Sequence, residues 1–481
     1  MVNASQRQAP LYQALKNHAE SNVANLHVPG HRQGWGLPKE LLSLDGQALF
    51  KLDLTEIPRL DDLHIPQGVI AQAQELVARA SGAEQSFFLV NGSTVGIHAL
   101  LMAVGGRGEV LLPRNAHRSA LGGLILSGAD PVYVMPEIIS GFNIAAGVLP
   151  EHIQQAIESN SSICVVLTVR PNYYGVVDDL AKQVVLVHAQ GRPVLVDEAH
   201  GAHLRFHHDL PQDAMSCGAD AAVQSTHKSG GALTQSSLLH LSGNHLDGEV
   251  VANALSLLQT TSPSYILMAS LDLARRQLAL SGTSLLERTL TLAGKTRERL
   301  VRIKGLKVLS KADLPGFDLD LTRLVINVSG LGLTGYQVGD LLFRRYNVYI
   351  EMAEANNIVA FLSIGTTPAD CDALVKALED IACRERRVHA TRFPEVPFNI
   401  KKRMKPRDAW FAASQRVSLA EARGRICAET IAVYPPGIPV LCPGEEINSE
   451  VYEYLELASR HNLSCQGASD YTLKTIRVVI E

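Results

Sequence analysis

No stretch of these 481 residues approaches the roughly 18 consecutive apolar residues that a membrane-spanning helix needs. Residues 1–24 are polar and contain no apolar core of signal-peptide length, so neither secretion nor membrane insertion is expected. An excess of positive charge is missing as well. Lys+Arg 44 against Asp+Glu 48 leaves a net charge of −4, which removes any general pull towards nucleic acid or an anionic membrane. Cysteine is scarce and irregular. The seven cysteines, at 164, 217, 371, 383, 427, 442 and 465, are odd in number, scattered and without metal-ligand spacing. That argues against a disulfide framework or a zinc site and suits a reducing cytoplasm. Internal repeats and low-complexity tracts are also absent. What remains is an ordinary globular balance, 46% hydrophobic and 19% charged, in a chain long enough for two or three domains.

The apolar pattern organises that length. Leu11, Tyr12, Leu15 and Ala19 fall at helical spacing in residues 8–20. Short β-rich runs follow at 87–90, 109–113, 131–135, 163–169, 193–196, 219–223 and 237–241, most of them separated by helix-length stretches. Such alternation indicates an α/β domain with a largely parallel sheet. Residues 266–280 and 285–304 read as two helices, and strands are expected at 324–328, 348–351 and 358–364 in a second, smaller α/β domain, closed by a helix over 375–387. The basic run 401–407 lacks interleaved aromatics and reads as a solvated linker or lid rather than a nucleic-acid patch.

Chemistry concentrates after the strands. Gln224-Ser225-Thr226-His227-Lys228-Ser229-Gly230-Gly231 places a lysine among small polar residues, and 193–197 is an apolar strand ending in Asp197. Each feature alone has a plain explanation: a lysine after a strand is usually solvated surface, and a strand-terminal Asp often caps a turn. Together they supply the two protein groups that pyridoxal phosphate (PLP) requires, a Schiff-base lysine and an acid for the pyridinium nitrogen. A third feature agrees. The run 87–90, then Asn91-Gly92-Ser93-Thr94 at a helix start, offers free N–H groups, a helix dipole and hydroxyls to a phosphate.

Ser-x-His-Lys followed by Gln235, with Asp-Glu-Ala-His-Gly-Ala-His at 197–203, resembles the PLP signatures of the ornithine/lysine/arginine decarboxylase family (group III of the fold-type I enzymes), above all its short bacterial arginine decarboxylase branch. The resemblance covers nearly the whole chain. It extends to Pro29-Gly30-His31, to Leu60-Asp61-Asp62-Leu63-His64, and to Tyr434-Pro435-Pro436-Gly437-Ile438-Pro439 with Pro443-Gly444-Glu445. It departs at Arg170-Pro171-Asn172-Tyr173-Tyr174-Gly175, where Arg170 and Asn172 stand in place of the family's usual Asn and Thr.

The resemblance implies an α/β fold: a large, mostly parallel-sheet domain of the aspartate aminotransferase-like PLP-dependent transferase type, a small α/β domain and a C-terminal α+β domain. In this chain the expected boundaries are 1–28 for a helical arm, 29–284, 285–390 and 391–481. Lys228 would hold the cofactor, Asp197 its ring nitrogen, and Ser93, Thr94, Ser225 and His227 its phosphate. His117, in Arg114-Asn115-Ala116-His117, would stack on the ring, and His200 or Lys228 would protonate the substrate carbon. The segment Thr260-Thr261-Ser262-Pro263 implies that Thr261 or a neighbour reaches a partner subunit's phosphate, hence a homodimer with shared sites. Arginine giving agmatine, an entry to polyamines, is the favoured substrate, with lysine (giving cadaverine) and then ornithine next. Glu351 and Glu445 are the acids expected near the site mouth to receive the substrate's cation. Two other classes stay open: another fold-type I PLP enzyme, such as an aminotransferase, or an inactive regulatory homologue.

Overall fold

The computed structural model describes residues 4–21, 23–44, 46–385, 397, 400–433, 438–461, 463 and 465–480. The Tyr434–Gly437 turn and the end of the 375–387 helix lie outside them. The chain divides into two compact units, Met1–Leu100 with Leu195–Leu286, and Leu101–Val194 with Glu287–Glu481.

In the first unit, strand Ala221–Gln224 lies between Val194–Asp197, to which it is parallel, and Ser237–Leu241, to which it is antiparallel; Gln85–Leu89 then pairs antiparallel with Ser237–Leu241. Val194, Leu195, Val196, Ala221, Ala222 and Val223 are all fully buried, as expected of strands covered on both faces. Helix Gly92–Val104 lies against this sheet. A Cβ on Gly96 would stand 2.8 Å from both Leu89 Cδ1 and Val223 Cγ1, so only glycine lets the helix start approach the strand ends. Helix Pro10–Glu20 buries Leu11 and Leu15 in a core with Ile70, Val77, Phe88 and Tyr265. Its Leu11 and Tyr12 N–H groups donate to Asp272 Oδ2 at 3.1 and 3.3 Å.

In the second unit Glu109–Pro113 is flanked by Asp130–Val134 and Ile163–Val169, all parallel. A four-stranded antiparallel sheet, ordered Lys307–Val308, Arg323–Asn327, Asn357–Phe361, Met352–Ala353, shares a core with helices Gly335–Tyr346 and Pro368–Arg384. The C-terminal part pairs Ser414–Ser418 with Thr475–Val479 and packs helix Ser449–Arg460 beside the strands Ile431–Val433 and Ile438–Leu441.

Three expectations need correction. The two helices expected around residues 281–284 are one, Tyr265–Val301, 37 residues long. Ser281-Gly282-Thr283-Ser284 is a packing seat rather than a break: a Cβ on Gly282 would meet Phe206 Cβ at 2.8 Å, and Thr283 Oγ1 donates to the Phe206 carbonyl at 3.2 Å. Residues 348–350 are coil, and the strand begins only at Met352. The basic run 401–407 is not a free linker. Lys402 pairs with Asp130, Arg403 with Glu446 at 2.8 Å, and Arg407 Nη1 donates to the Leu126 carbonyl at 2.7 Å.

Asp61, whose motif had no physical role in the sequence, acquires one. It holds a left-handed φ of 71°, and its carboxylate accepts N–H groups from Gln67, Gly68, Ile70 and Ala71 at 2.7–3.3 Å, closing the start of helix Val69–Ser81. Its carbonyl takes the Tyr265 hydroxyl at 2.5 Å, and His64 Nε2 meets the Thr260 carbonyl at 2.9 Å. Burial pushes the Asp61 carboxyl up, but the N–H groups of Gln67, Gly68, Asp62 and Ala71 outweigh it and hold its pKa below the usual value. Asp61→Ala should therefore cost about 1–2 kcal/mol near neutral pH. A group with a lowered folded pKa stabilises above its unfolded pKa and loses that contribution as pH falls through the folded value. The difference in thermal midpoint between wild type and Asp61→Ala should thus shrink in acid; a difference constant with pH would rule out the ionised cap.

Candidate active site

Lys228 sits in the single helical turn Thr226–Ser229, directly after strand Ala221–Gln224. The parallel neighbour strand ends in Asp197, registered against Val223, so the acid and the lysine turn leave the sheet at the same end. Ligands gather at that end of parallel strands. Lys228 Nζ lies 3.1 Å from His200 Nε2. Asp197 is 5% exposed; burial raises its carboxyl pKa, opposed by the charge of Lys228 and by the Ala199 N–H, which donates to Oδ1 at 3.2 Å. Three expected residues thus meet in one unit.

The residues expected to bind the phosphate meet there too. Ser225 Oγ donates to Ser93 Oγ at 2.8 Å, bringing the lysine turn to the start of helix Gly92–Val104. Gly92 has a left-handed φ of 73°, and the space where its Cβ would stand is open. Its N–H donates to the Gln235 carbonyl at 2.9 Å, so Gln235, itself at φ 84°, ties the far end of the lysine motif to the same turn. Thr94 is exposed beside Ser93. His227 donates through both its backbone N–H and Nδ1 to the Ser236 carbonyl, at 3.2 and 3.0 Å, which fixes the Nδ1–H tautomer. Burial, and then the charge of Lys228, lower its pKa. These groups fit PLP: a lysine amine, an acid held at a strand end, and two hydroxyls at a helix N-terminus with an uncrowded glycine. Thr260, Thr261 and Ser262 are exposed in the same unit.

The second unit holds His117 at the N-cap of helix Arg118–Ser127. Its Nδ1 accepts the Ser119 N–H at 3.2 Å, so the lone pair lies on Nδ1 and the ring proton on Nε2. The Tyr173 ring is 6.5 Å away. The departures at 170–175 serve the loop itself. Arg170 Nε donates to the Asp178 carbonyl at 3.2 Å, while Asn172 donates to the Ala145 carbonyl at 2.9 Å and accepts from the Tyr174 and Val176 N–H groups at 3.0 Å.

The two acids expected to receive the substrate are placed otherwise. Glu445 is 1% exposed, bonded to Arg114 Nη2 at 2.9 Å and to the Cys442 N–H at 2.7 Å. It sits in an interior ion pair and not at a mouth. Glu351 does not close a strand. It is exposed at the end of a coil, beside a cavity of about 430 Å³ lined also by Tyr349, Phe361 and Asp370.

Sequence reasoning missed a buried relay behind the lysine. Glu198 accepts from Gln224 Nε2 at 2.7 Å and from the Ala214 N–H at 2.7 Å; Gln224 Oε1 accepts from His240 Nε2 at 3.1 Å; His240 Nδ1 accepts from Ser86 Oγ at 2.8 Å. An ionised Glu198 only accepts, so the direction of every bond follows from its charge. Burial lowers the His240 pKa to about 4, which keeps its ring a neutral link. The only sequence signal was the polar Glu198 and Gln224 at the ends of apolar strands.

The architecture is that of an α/β enzyme, with a lysine, a histidine and a buried acid gathered at one end of a parallel strand pair. The family model described as "Orn/Lys/Arg decarboxylase, major domain" matches residues 9–318, and "Orn/Lys/Arg decarboxylase, C-terminal domain" matches 390–470. The chain is 41% identical to the arginine decarboxylase of Bacillus subtilis (strain 168) over 99% of each chain. It is 40% identical to the arginine decarboxylase of Halalkalibacterium halodurans, over 99% of this chain and 98% of that one. Among solved structures it resembles the lysine decarboxylase of Francisella novicida with a TM-score of 0.83, at 21% identity, over 99% of this chain and 82% of that one. The chain belongs to the Orn/Lys/Arg decarboxylase family, and its fold is fold-type I.

Gln224→Leu should break the relay at its middle, leaving Glu198 and His240 each short of a partner, at about 1–3 kcal/mol apiece. Thermal unfolding measures this, and an unchanged midpoint would show that the relay contributes nothing to stability.

Proposed function

We propose that this protein decarboxylates L-arginine to agmatine and carbon dioxide with PLP, in the cytoplasm, as a step towards polyamines. The observation that carries the chemistry is Lys228 Nζ at 3.1 Å from His200 Nε2, with buried Asp197 ending the parallel neighbour strand. The support for arginine is the pair of full-length relatives at about two-fifths identity that bear that name.

PLP bound here would supply an electron sink for the bond pair left on the substrate carbon when carbon dioxide departs. Lys228 would hold the cofactor through its amine. Asp197 would keep a proton on the ring nitrogen, and its burial beside a cation suits it to that one partner. His200 is placed to exchange a proton with Lys228 Nζ, so that either group can return one to the substrate carbon. Ser93, Thr94, Ser225, His227 and the N-terminus of helix Gly92–Val104 would take the phosphate. With its proton on Nδ1, His227 donates to a phosphate oxygen only when the ring is charged, a state a dianion nearby would favour. His117 would cover the ring face as a neutral imidazole. The exposed Thr260–Ser262 segment, tied by His64 and Tyr265 to the Asp61 turn, would reach the phosphate of a partner subunit in a homodimer.

Carbon dioxide release from arginine, lysine and ornithine on purified protein tests the substrate. Arginine should be favoured by roughly tenfold or more in kcat/KM, equivalent to about 1.4 kcal/mol. Faster release from lysine would replace arginine, and stoichiometric amino transfer without gas would replace decarboxylation. Lys228→Ala should lose both the visible band of the lysine-bound cofactor and turnover; a variant retaining both would remove the lysine from its role. Asp197→Ala should still bind PLP but turn over several orders of magnitude more slowly, and near-normal rates would mean that another group holds the ring proton. Mixing Lys228→Ala with Thr261→Ala subunits should restore activity in hybrid sites; no recovery despite subunit exchange would count against shared sites.

A further inference from the structure

His117 lies between two elements, and both are gripped by the C-terminal domain. On one side Arg114, 3% exposed, donates from Nη1 to the Pro439 carbonyl at 2.7 Å and from Nη2 to the Val440 carbonyl at 3.1 Å and Glu445 Oε2 at 2.9 Å. The guanidinium also lies 5.2 Å from the centre of the Tyr133 ring. Burial alone would lower its pKa, but the Glu445 carboxylate outweighs burial and raises it, so Arg114 stays charged. On the other side Arg118 Nη1 donates to Gln466 Oε1 at 3.0 Å, and Leu121 and Ile125, on the helix that His117 caps, form a small core with Cys442. Arg407 closes the far end of that helix through the Leu126 carbonyl. Gly444, at a left-handed φ of 89°, lets the turn carrying Glu445 close against Met404, whose carbonyl would stand 2.4 Å from a Cβ there.

We propose that the C-terminal domain positions His117: Glu445, Cys442 and the strand Ile438–Leu441 hold Arg114 and the capped helix so that the imidazole keeps one place and one tautomer. Glu445 is then a positioning residue acting through Arg114, not a substrate ligand. The inference rests on the reading of His117 as a cofactor contact. It accounts for why a domain without a lysine, acid or phosphate group of the site belongs to the enzyme.

The test is a cycle on PLP affinity, measured by absorbance as cofactor is titrated back into resolved full-length enzyme. The variants are His117→Ala, the pair Arg114→Met with Glu445→Met, and all three together. Replacing both ionic partners avoids a lone buried charge and keeps the interior packed. His117→Ala and the paired variant should each weaken PLP binding by roughly tenfold, and the triple variant by no more than about twofold beyond either, because contacts acting through one group do not add. A folded paired variant with wild-type affinity overturns the clamp. So does a triple variant near the hundredfold product. If His117→Ala itself leaves affinity unchanged, the cofactor contact fails and the clamp falls with it, a result distinct from the other two. Should the paired variant not fold, Arg114→Lys keeps the charge but loses the fork to the two carbonyls, and the same cycle is read with it.

Discussion

A carboxylate buried at the end of a wholly apolar strand is costly to ionise unless a cation or N–H donors stand within reach. Asp197 is in that position, behind Val194, Leu195 and Val196; burial raises its carboxyl pKa, and the charge of Lys228 and the Ala199 N–H oppose it. The parallel pairing of their two strands delivers both residues to one end of the sheet, and Gly96 allows helix Gly92–Val104 to start there too. The buried relay from Glu198 through Gln224 and His240 to Ser86 then joins the residues flanking Asp197 and Ser225 to two further strands. Local order in this unit therefore gathers around the strand end where one buried acid stands.

Much of this was legible in the sequence because it is local. A strand such as 237–241 shows itself as an apolar run, and the lysine turn as small polar residues beside one; both appear where expected. Lys228, Asp197 and Ser93 stood out because strand ends and glycine turns mark chemistry at short range, whereas His200 and Ser225 were named through the family resemblance. What the sequence concealed was partner choice over long separations. Glu445 has the same composition of neighbours whether it faces solvent or Arg114, 331 residues away, and only folding decides between them. Small polar residues at 281–284 read as a break because intrinsic propensity is all that a sequence shows; packing of Phe206 onto Gly282 overrode it. Glu351 was misplaced by a strand boundary, the least certain feature of any such reading.

Polar contacts that look alike here have different worth. The exposed pairs Arg79–Glu75 and Arg344–Asp340 are solvated helix-face contacts, each contributing a few tenths of a kcal/mol at about the usual value. Arg114–Glu445 and Arg275–Asp272 are almost fully enclosed, and losing one partner would strand the other charge. Those two pairs secure the loop that leads to His117 and the helix Pro10–Glu20, respectively. Charge is spent where a segment would otherwise lack a fixed seat.

Asp272 has a consequence in time as well as space. It receives the N–H groups of Leu11 and Tyr12, and Arg275 donates to the Gln6 and Gln8 carbonyls, so residues 6–12 dock on a helix made some 261 residues after them. Strand Gln85–Leu89 likewise waits for Ser237–Leu241. At a synthesis rate of about 5–20 residues per second, that delay is roughly 10–50 s. Until then the core of Leu11, Leu15, Val77 and Phe88 lacks its late members Leu238, Tyr265, Met268 and Leu271. An apolar helix face made early thus stays uncovered until the ribosome has delivered its seat, and the length of that exposure is set by the pace of synthesis rather than by the stability of the finished fold.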